Sequence, residues 1–261
     1  MLKIKDLEVQ YGARAAAVKH FDLRMKKGEI VSIVGESGSG KTTVIRAILH
    51  ALPPLARVNA AVMEFDGKSL SSMTDSQWRE LRGTDISMIF QDSSASLNPI
   101  RRIGKQYTDY IRTHKEMSAD EAAALAEEML KKMRLPDAGR VMKSYPYQLS
   151  GGMCQRVGIA MAMTFQPKLL LADEPTSALD VTTQAQIVKQ MMELRDIYGT
   201  SIIIVTHNLG VAAYMADQLI VMKNGRVEDR GSAKEVLTQP KSEYTKKLLQ
   251  SVPEMEGHRF V

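Results

Sequence analysis

An α/β fold is expected, a core of mixed β-sheet and helices with an antiparallel β subdomain and an inserted α-helical subdomain, on three observations. The chain opens with alternating apolar and polar residues, the period of a half-buried strand. Residues 29–48 then run as an apolar stretch, a glycine-rich turn and a helical pattern. Two later apolar runs are too short for helices, while the segment between them and the glycine-rich turn changes to a helical period.

Taken in order, Leu2, Ile4, Leu7 and Val9 alternate as one strand, and Val18, Phe21, Leu23 and Met25 as its neighbour, so an antiparallel edge sheet is predicted. Glu29 to Val34 reads as a short buried strand. The helix from Thr42 is expected to end near Pro53-Pro54, because proline lacks the N–H that helix continuation needs. From Ser93 to Ser150 the pattern is helical: Ser118 and Glu121 form a capping box, and Leu125, Met129, Leu130 and Met133 make one apolar stripe. Leu169 to Ala172 and Ile202 to Val205 each end on polar residues and read as buried parallel strands. Leu219 to Met222 and Val227 flank Asn224-Gly225, a pair that tolerates the positive φ of a hairpin turn. The last residues, from about Glu254, are expected to be loose.

Composition narrows the function. The 261 residues suit a single domain with an inserted subdomain, and no apolar run reaches the ~20 residues of a membrane-spanning helix. The start MLKIKDLEVQ lacks the apolar core of a secretory signal, so a cytosolic protein is expected. One cysteine, Cys154, excludes an internal disulfide and any multi-cysteine cluster held by this chain alone; packing is its expected use. The net charge of +5 is spread among interspersed acids, so no nucleic-acid partner is expected. The 17 methionines recur beside other apolar residues, as at Met129, Met133, Met161 and Met163, and are expected in the core.

The chemistry concentrates at a few places. Gly35-Glu36-Ser37-Gly38-Ser39-Gly40-Lys41-Thr42 lies between strand and helix, and matches a phosphate loop. Its glycines let successive amides turn toward one anion, Lys41 can reach the β and γ phosphates of ATP, and the Thr42 hydroxyl can bind Mg2+. Asp173-Glu174 stands at the end of a buried strand, where open α/β sheets bind ligands. Asp173 is expected to hold magnesium. Glu174, one residue on, is expected to point to the other face and poise the attacking water. Leu149-Ser150-Gly151-Gly152 puts a second anion-binding helix start in the chain. One ATP does not need two, so each copy is expected to lend this cap to the γ phosphate on another, in a head-to-tail dimer. The four residues alone are equally compatible with an ordinary helix cap.

The order of these elements resembles the ATP-binding-cassette ATPases over nearly the whole chain. The resemblance implies a RecA-like P-loop NTPase core with its β subdomain over 1–92 and 151–250, a helical subdomain over 93–150, and a loose tail over 251–261. Tyr11 resembles the residue that stacks on adenine, and Gln91 the glutamine that senses magnesium and water. His207 is similar to the switch histidine that contacts the γ phosphate, and Ser177-Ala178-Leu179-Asp180 to the loop joining two protomers. Each alone is also an ordinary strand-end or loop residue. The implied catalytic set is Glu174, His207 and Gln91. Nucleotide contacts are implied for Tyr11, Gly35, Ser37 through Thr42, Thr43, Ser150, Gly151, Gly152 and Asp180, and magnesium contacts for Thr42, Gln91 and Asp173. Met153 departs from the family, which commonly has glutamine there.

Phe90-Gln91-Asp92 with Ser96-Leu97-Asn98-Pro99, Tyr145-Pro146, and Ser242-Glu243-Tyr244-Thr245 with Leu248-Leu249 are similar to importers of oligopeptides, dipeptides and nickel. This branch implies integral-membrane permease subunits, a second cassette that is often a different chain, an external solute-binding protein, and a peripheral place on the cytoplasmic face of the membrane. The helical subdomain would receive a permease helix near Gln91. Three rivals fit less well. A cassette working on DNA or ribosomes would carry a long coiled coil or a second cassette, a small-molecule kinase would not need Ser150-Gly151-Gly152, and a non-hydrolysing regulator would lack Glu174.

Overall fold

The computed structural model describes residues 1–177 and 179–250, and the backbone of 254–255 and 258–259. In chain order the elements are β1 (Leu2–Tyr11), β2 (Val18–Met25), β3 (Ile30–Val34), α1 (Lys41–Ile48), β4 (Ala56–Asn59), β5 (Val62–Phe65), β6 (Lys68–Ser69), α2 (Asp75–Leu81) and β7 (Ile86–Ile89). Then follow α3 (Ser93–Ser96), α4 (Ile103–His114), α5 (Ala119–Lys132), α6 (Ala138–Lys143), α7 (Gly151–Met163), β8 (Leu169–Asp173) and α8 (Val181–Tyr198). The last are β9 (Ser201–Thr206), α9 (Leu209–Met215), β10 (Gln218–Lys223), β11 (Arg226–Ser232), α10 (Ala233–Thr238), α11 (Glu243–Gln250) and the two-residue strands β12 (Glu254–Met255) and β13 (His258–Arg259). They gather into two compact units, Met1–Arg79 with Ser201–Val261, and Glu80–Thr200.

In the first unit the alternation of β1 and β2 has the predicted consequence: they pair antiparallel, and Leu2, Ile4, Leu7 and Val9 are all buried. β4 and β5 also pair with β1, an extension of this sheet that the sequence reading did not foresee. β3 lies between β9 and β10 and is parallel to both. All five residues of β3 and all six of β9 are buried, which is why these runs are continuously apolar rather than alternating. The Asn224-Gly225 turn returns β11 antiparallel to β10, with φ of 50° and 79° at its two residues.

Helix α1 stops well short of Pro53-Pro54. Its C-cap is Leu49, His50 takes a left-handed φ of 51°, and the amides of His50 and Ala51 donate back to the carbonyls of Ala47 and Arg46. This is a Schellman closure, and it satisfies the last carbonyls without a proline. His50 then stacks on Trp78, with ring centroids 5.2 Å apart.

In the second unit β7 and β8 are parallel, with Ile89 opposite Ala172. Helix α5 begins with the predicted capping box, and α4, α5, α6 and α7 pack around Ile103, Tyr107, Ile111, Ala126, Leu130, Met133 and Cys154. Met129, Met133 and Met163 are buried and Met161 is half-buried, so methionine serves largely as filling. Cys154 is 2% exposed, and burial pushes its thiol above the usual range, as packing requires. Of the tail expected to be loose, most lies outside the described residues; β12 and β13 pair antiparallel.

Candidate functional site

The phosphate loop begins where β3 ends. A Cβ at Gly40 would lie 2.5 Å from the carbonyl oxygen of Ala17, and one at Gly35 would run into the carbonyl of Met222, so neighbouring backbone is drawn in to the loop and side chains are excluded. Gly40 is also the N-cap of α1, with φ of 101°, and supplies no side-chain cap to the helix start. Helices α9 and α10 differ: they begin under Asn208 and Ser232, whose side chains accept from the third helical residue. Lys41 is 5% exposed, and its ammonium donates to the carbonyls of Gly35 and Glu36 at 2.7 Å each and to Ser39 Oγ at 3.4 Å. Thr42 and Thr43 are half-buried, and Thr43 Oγ1 lies 3.2 Å from the Tyr11 hydroxyl, which brings Tyr11 to the same helix start. Ser37 and Gly38 are exposed.

His207 comes to this side of the unit through strand pairing. Thr206 pairs with Val34, so His207 and Gly35 leave neighbouring parallel strands at the same end. A buried ammonium, glycine amides, a helix amino terminus and threonine hydroxyls are the donor set that a polyphosphate with its magnesium ion requires.

In the second unit Asp173 ends β8 and is 1% exposed. Glu174 lies beyond the last strand residue, so strand alternation does not govern its side chain. It takes a left-handed φ of 44°, a backbone turn rather than extended chain. Gln91 follows β7 as Glu174 follows β8, and its side-chain amide donates to the Glu174 carboxylate at 3.3 Å. Asp92 caps α3 by accepting from the amides of Ser94 and Ala95, and the Ser94 hydroxyl above all holds its carboxyl below the usual range.

Ser150 is the N-cap of α7 and accepts from the Met153 amide at 3.3 Å. Ser150 and Gly151 are exposed. Asp180 caps α8 by accepting from Thr183 N–H at 3.0 Å, a bond that holds its carboxyl below the usual range. A Cβ at Gly152 would lie 2.8 Å from Thr183 Cγ2, so the starts of α7 and α8 are adjacent and Ser150–Gly152 share a corner with Asp180. Ala178, in the loop before Asp180, lies outside the described residues.

Sequence reasoning missed three contacts that shape these places, although Gly225 and Tyr244 were read in other roles. Thr183 joins the two helix starts; Gly225 donates to Ser39 O at 3.1 Å and so ties the hairpin turn to the phosphate loop; Tyr244 accepts from the Glu36 amide at 3.1 Å. Asp180 three residues before Thr183 is a legible capping pattern, but the other contacts join residues far apart in sequence and leave no local signal.

The loop and the strand ends define a phosphate-loop nucleotide-binding protein. A family model described as ABC transporter matches residues 18–177, and the chain belongs to that family, as one of its ATP-hydrolysing cassettes. It is 41% identical over 261 residues to the oligopeptide transport ATP-binding protein OppD of Bacillus subtilis (strain 168), covering 98% of this chain and 73% of that one. It is 42% identical over 260 residues to the dipeptide transport ATP-binding protein DppD of the same organism, covering 98% and 78%. Among solved structures, the ATP-binding cassette MJ0796, dimeric in a post-hydrolysis state with ADP and Pi, superposes with a TM-score of 0.76 and 31% identity over 89% of this chain and 99% of that one. Among the described residues no helix is long and apolar enough to cross a membrane.

Proposed function

We propose that this cassette drives a peptide importer, binding Mg-ATP between itself and a second cassette and passing the resulting closure to membrane-embedded permease subunits. The observation that carries the solute class is the likeness, over 98% of the chain, to proteins named for oligopeptide and dipeptide transport. The MJ0796 cassette is dimeric, and the exposed Ser150 and Gly151 at the start of α7 suit contact with a γ phosphate held by another copy. The branch motifs favour a sister chain over a second copy, an external binding protein that delivers solute, and a peripheral position on the cytoplasmic face.

Within that reading Tyr11 stacks on adenine, Gly35 and Ser37 through Thr43 hold the phosphates, and Asp180 orders the protomer contact. The Thr42 hydroxyl is a magnesium ligand, as are the Gln91 amide oxygen and the Asp173 carboxylate. Glu174 poises the attacking water, with Gln91 donating to its carboxylate and His207 contacting the γ phosphate. Uptake of a labelled dipeptide and of radioactive nickel, compared in source cells carrying the wild type or Lys41→Ala, tests the solute. Loss of dipeptide uptake alone supports the proposal. Loss of nickel uptake alone assigns a metal importer, and loss of neither refutes both.

A further inference from the structure

The sequence Ser242-Glu243-Tyr244-Thr245 opens α11, the last full helix described, yet one of its side chains reaches the phosphate loop 208 residues away. The helix is firmly placed. Asp229 of β11 is 5% exposed, and its carboxylate accepts from the amides of Lys241 at 2.7 Å and Ser242 at 3.3 Å. Ser242 Oγ in turn accepts from the Thr245 amide at 3.0 Å, and Thr245 and Leu249 are buried. Leu249 belongs to a core with Val34, Leu209, Leu219, Val221 and Val236, against which Tyr244 and Leu248 also pack. Lys223, at the end of β10, lies over the Tyr244 ring, 4.5 Å from its centre, and adds a cation–π contact that fixes the ring.

From this place the Tyr244 hydroxyl oxygen accepts the Glu36 N–H at 3.1 Å. The carbonyl on the same planar peptide, that of Gly35, accepts from the Lys41 ammonium at 2.7 Å, as does the Glu36 carbonyl one peptide further on. Glu36 is thus held on one side by the C-terminal helix and on the other by the lysine that the phosphates need. Its own side chain is exposed, with its carboxylate also within reach of the Tyr244 hydroxyl.

We propose that Tyr244 is a positioning residue for ATP: its hydroxyl, delivered by α11, fixes the Gly35–Glu36 peptide and, through the Gly35 carbonyl of that peptide, the place of the Lys41 ammonium. The proposal rests on the phosphate loop being the ATP site. It makes the C-terminal helix a determinant of nucleotide affinity, although Tyr244 touches no phosphate itself.

Tyr244→Phe removes the hydroxyl while keeping the ring, its packing and its cation–π contact. ATP binding, read by displacement of a fluorescent ATP analogue, and steady-state ATPase are measured on the full chain for the wild type, Tyr244→Phe and Lys41→Ala, with thermal unfolding of each. Tyr244→Phe is expected to weaken ATP binding and raise KM together by about 2- to 10-fold, the value of one neutral hydrogen bond. Its kcat should change by less than about 2-fold, and its unfolding midpoint should fall by no more than about 5 °C, as loss of one hydrogen bond allows. Wild-type affinity in Tyr244→Phe, a loss confined to kcat, or a loss of affinity accompanied by a fall of more than about 5 °C in unfolding midpoint overturns the proposal, while a large loss in Lys41→Ala leaves the phosphate-loop reading intact. Wild-type ATP binding in Lys41→Ala overturns both.

Discussion

Gly40→Ala and Gly38→Ala, two substitutions in one loop, separate steric exclusion from backbone conformation. Both residues have positive φ, 101° and 79°, so both variants bear the cost of a left-handed L-residue, about 1–2 kcal/mol. Around Gly38 a new Cβ meets nothing within 4 Å. At Gly40 it comes 2.5 Å from Ala17 O, 3.4 Å from Val18 Cγ2 and 3.5 Å from Met222 Cε. The first of these contacts is with backbone that has little room to yield: Ala17 N–H donates to Val9 O at 2.7 Å, and a Cβ at Gly225 would crowd the same Ala17 carbonyl at 2.6 Å. Relief requires a shift of β2 or of the phosphate loop, which adds about 1–3 kcal/mol, the usual cost of overpacking. Gly40→Ala should therefore be the less stable of the two by about 1–3 kcal/mol, or some 2–10 °C in unfolding midpoint for a chain of this size. Urea and thermal unfolding followed by circular dichroism read the difference. Equal stability of the two variants would show that the close approach at Gly40 carries no energetic weight.

Glu174→Gln should retain ATP binding, lower ATP turnover by about 100-fold or more and accumulate an ATP-bound dimer, because only the activation of water is lost; gel filtration with ATP that shows monomer alone counts against it. Gly158→Ala places a methyl against Ser93, which is 2% exposed and two residues beyond Gln91, so kcat should fall by about 10- to 100-fold with ATP affinity retained. Ser93→Gly in the same chain should recover part of that loss, and no recovery would mean that the contact is not the cause. The ring signals of His20 and His114, followed by NMR, should titrate on opposite sides of 6.5. The hydrogen bond to Asp6 raises His20, so its stabilising effect is present below 6.5 and fades as pH rises through the higher folded value. Burial lowers His114, so its unfolded form takes up the proton first and stability declines as pH falls through 6.5. The reverse order would refute both assignments.

Sequence alone determined what is local. Period and run length placed β1, β2, β3, β8 and β9, the Ser118–Glu121 pair placed the start of α5, and Asn224-Gly225 placed a hairpin, because each signal depends only on neighbouring residues. The strands β5 and β6 were not read from sequence, because their apolar runs are too short to carry a period, although Asp66-Gly67 turns between them with φ of 48° and 77°. The glycine-rich loop and the acidic strand end were named from residue types whose chemistry is the same wherever they sit. Tertiary structure decided the rest. Helix α1 ended where a left-handed His50 closed it and not at the prolines, and Glu174 took a positive φ that no strand alternation contains. The neighbourhoods of Gly225 with Ser39 and Tyr244 with Glu36 join residues more than 180 positions apart. Hydrogen bonds of that kind form only when separate elements have packed, and no local pattern of side chains encodes which backbone amide will lie beside which hydroxyl.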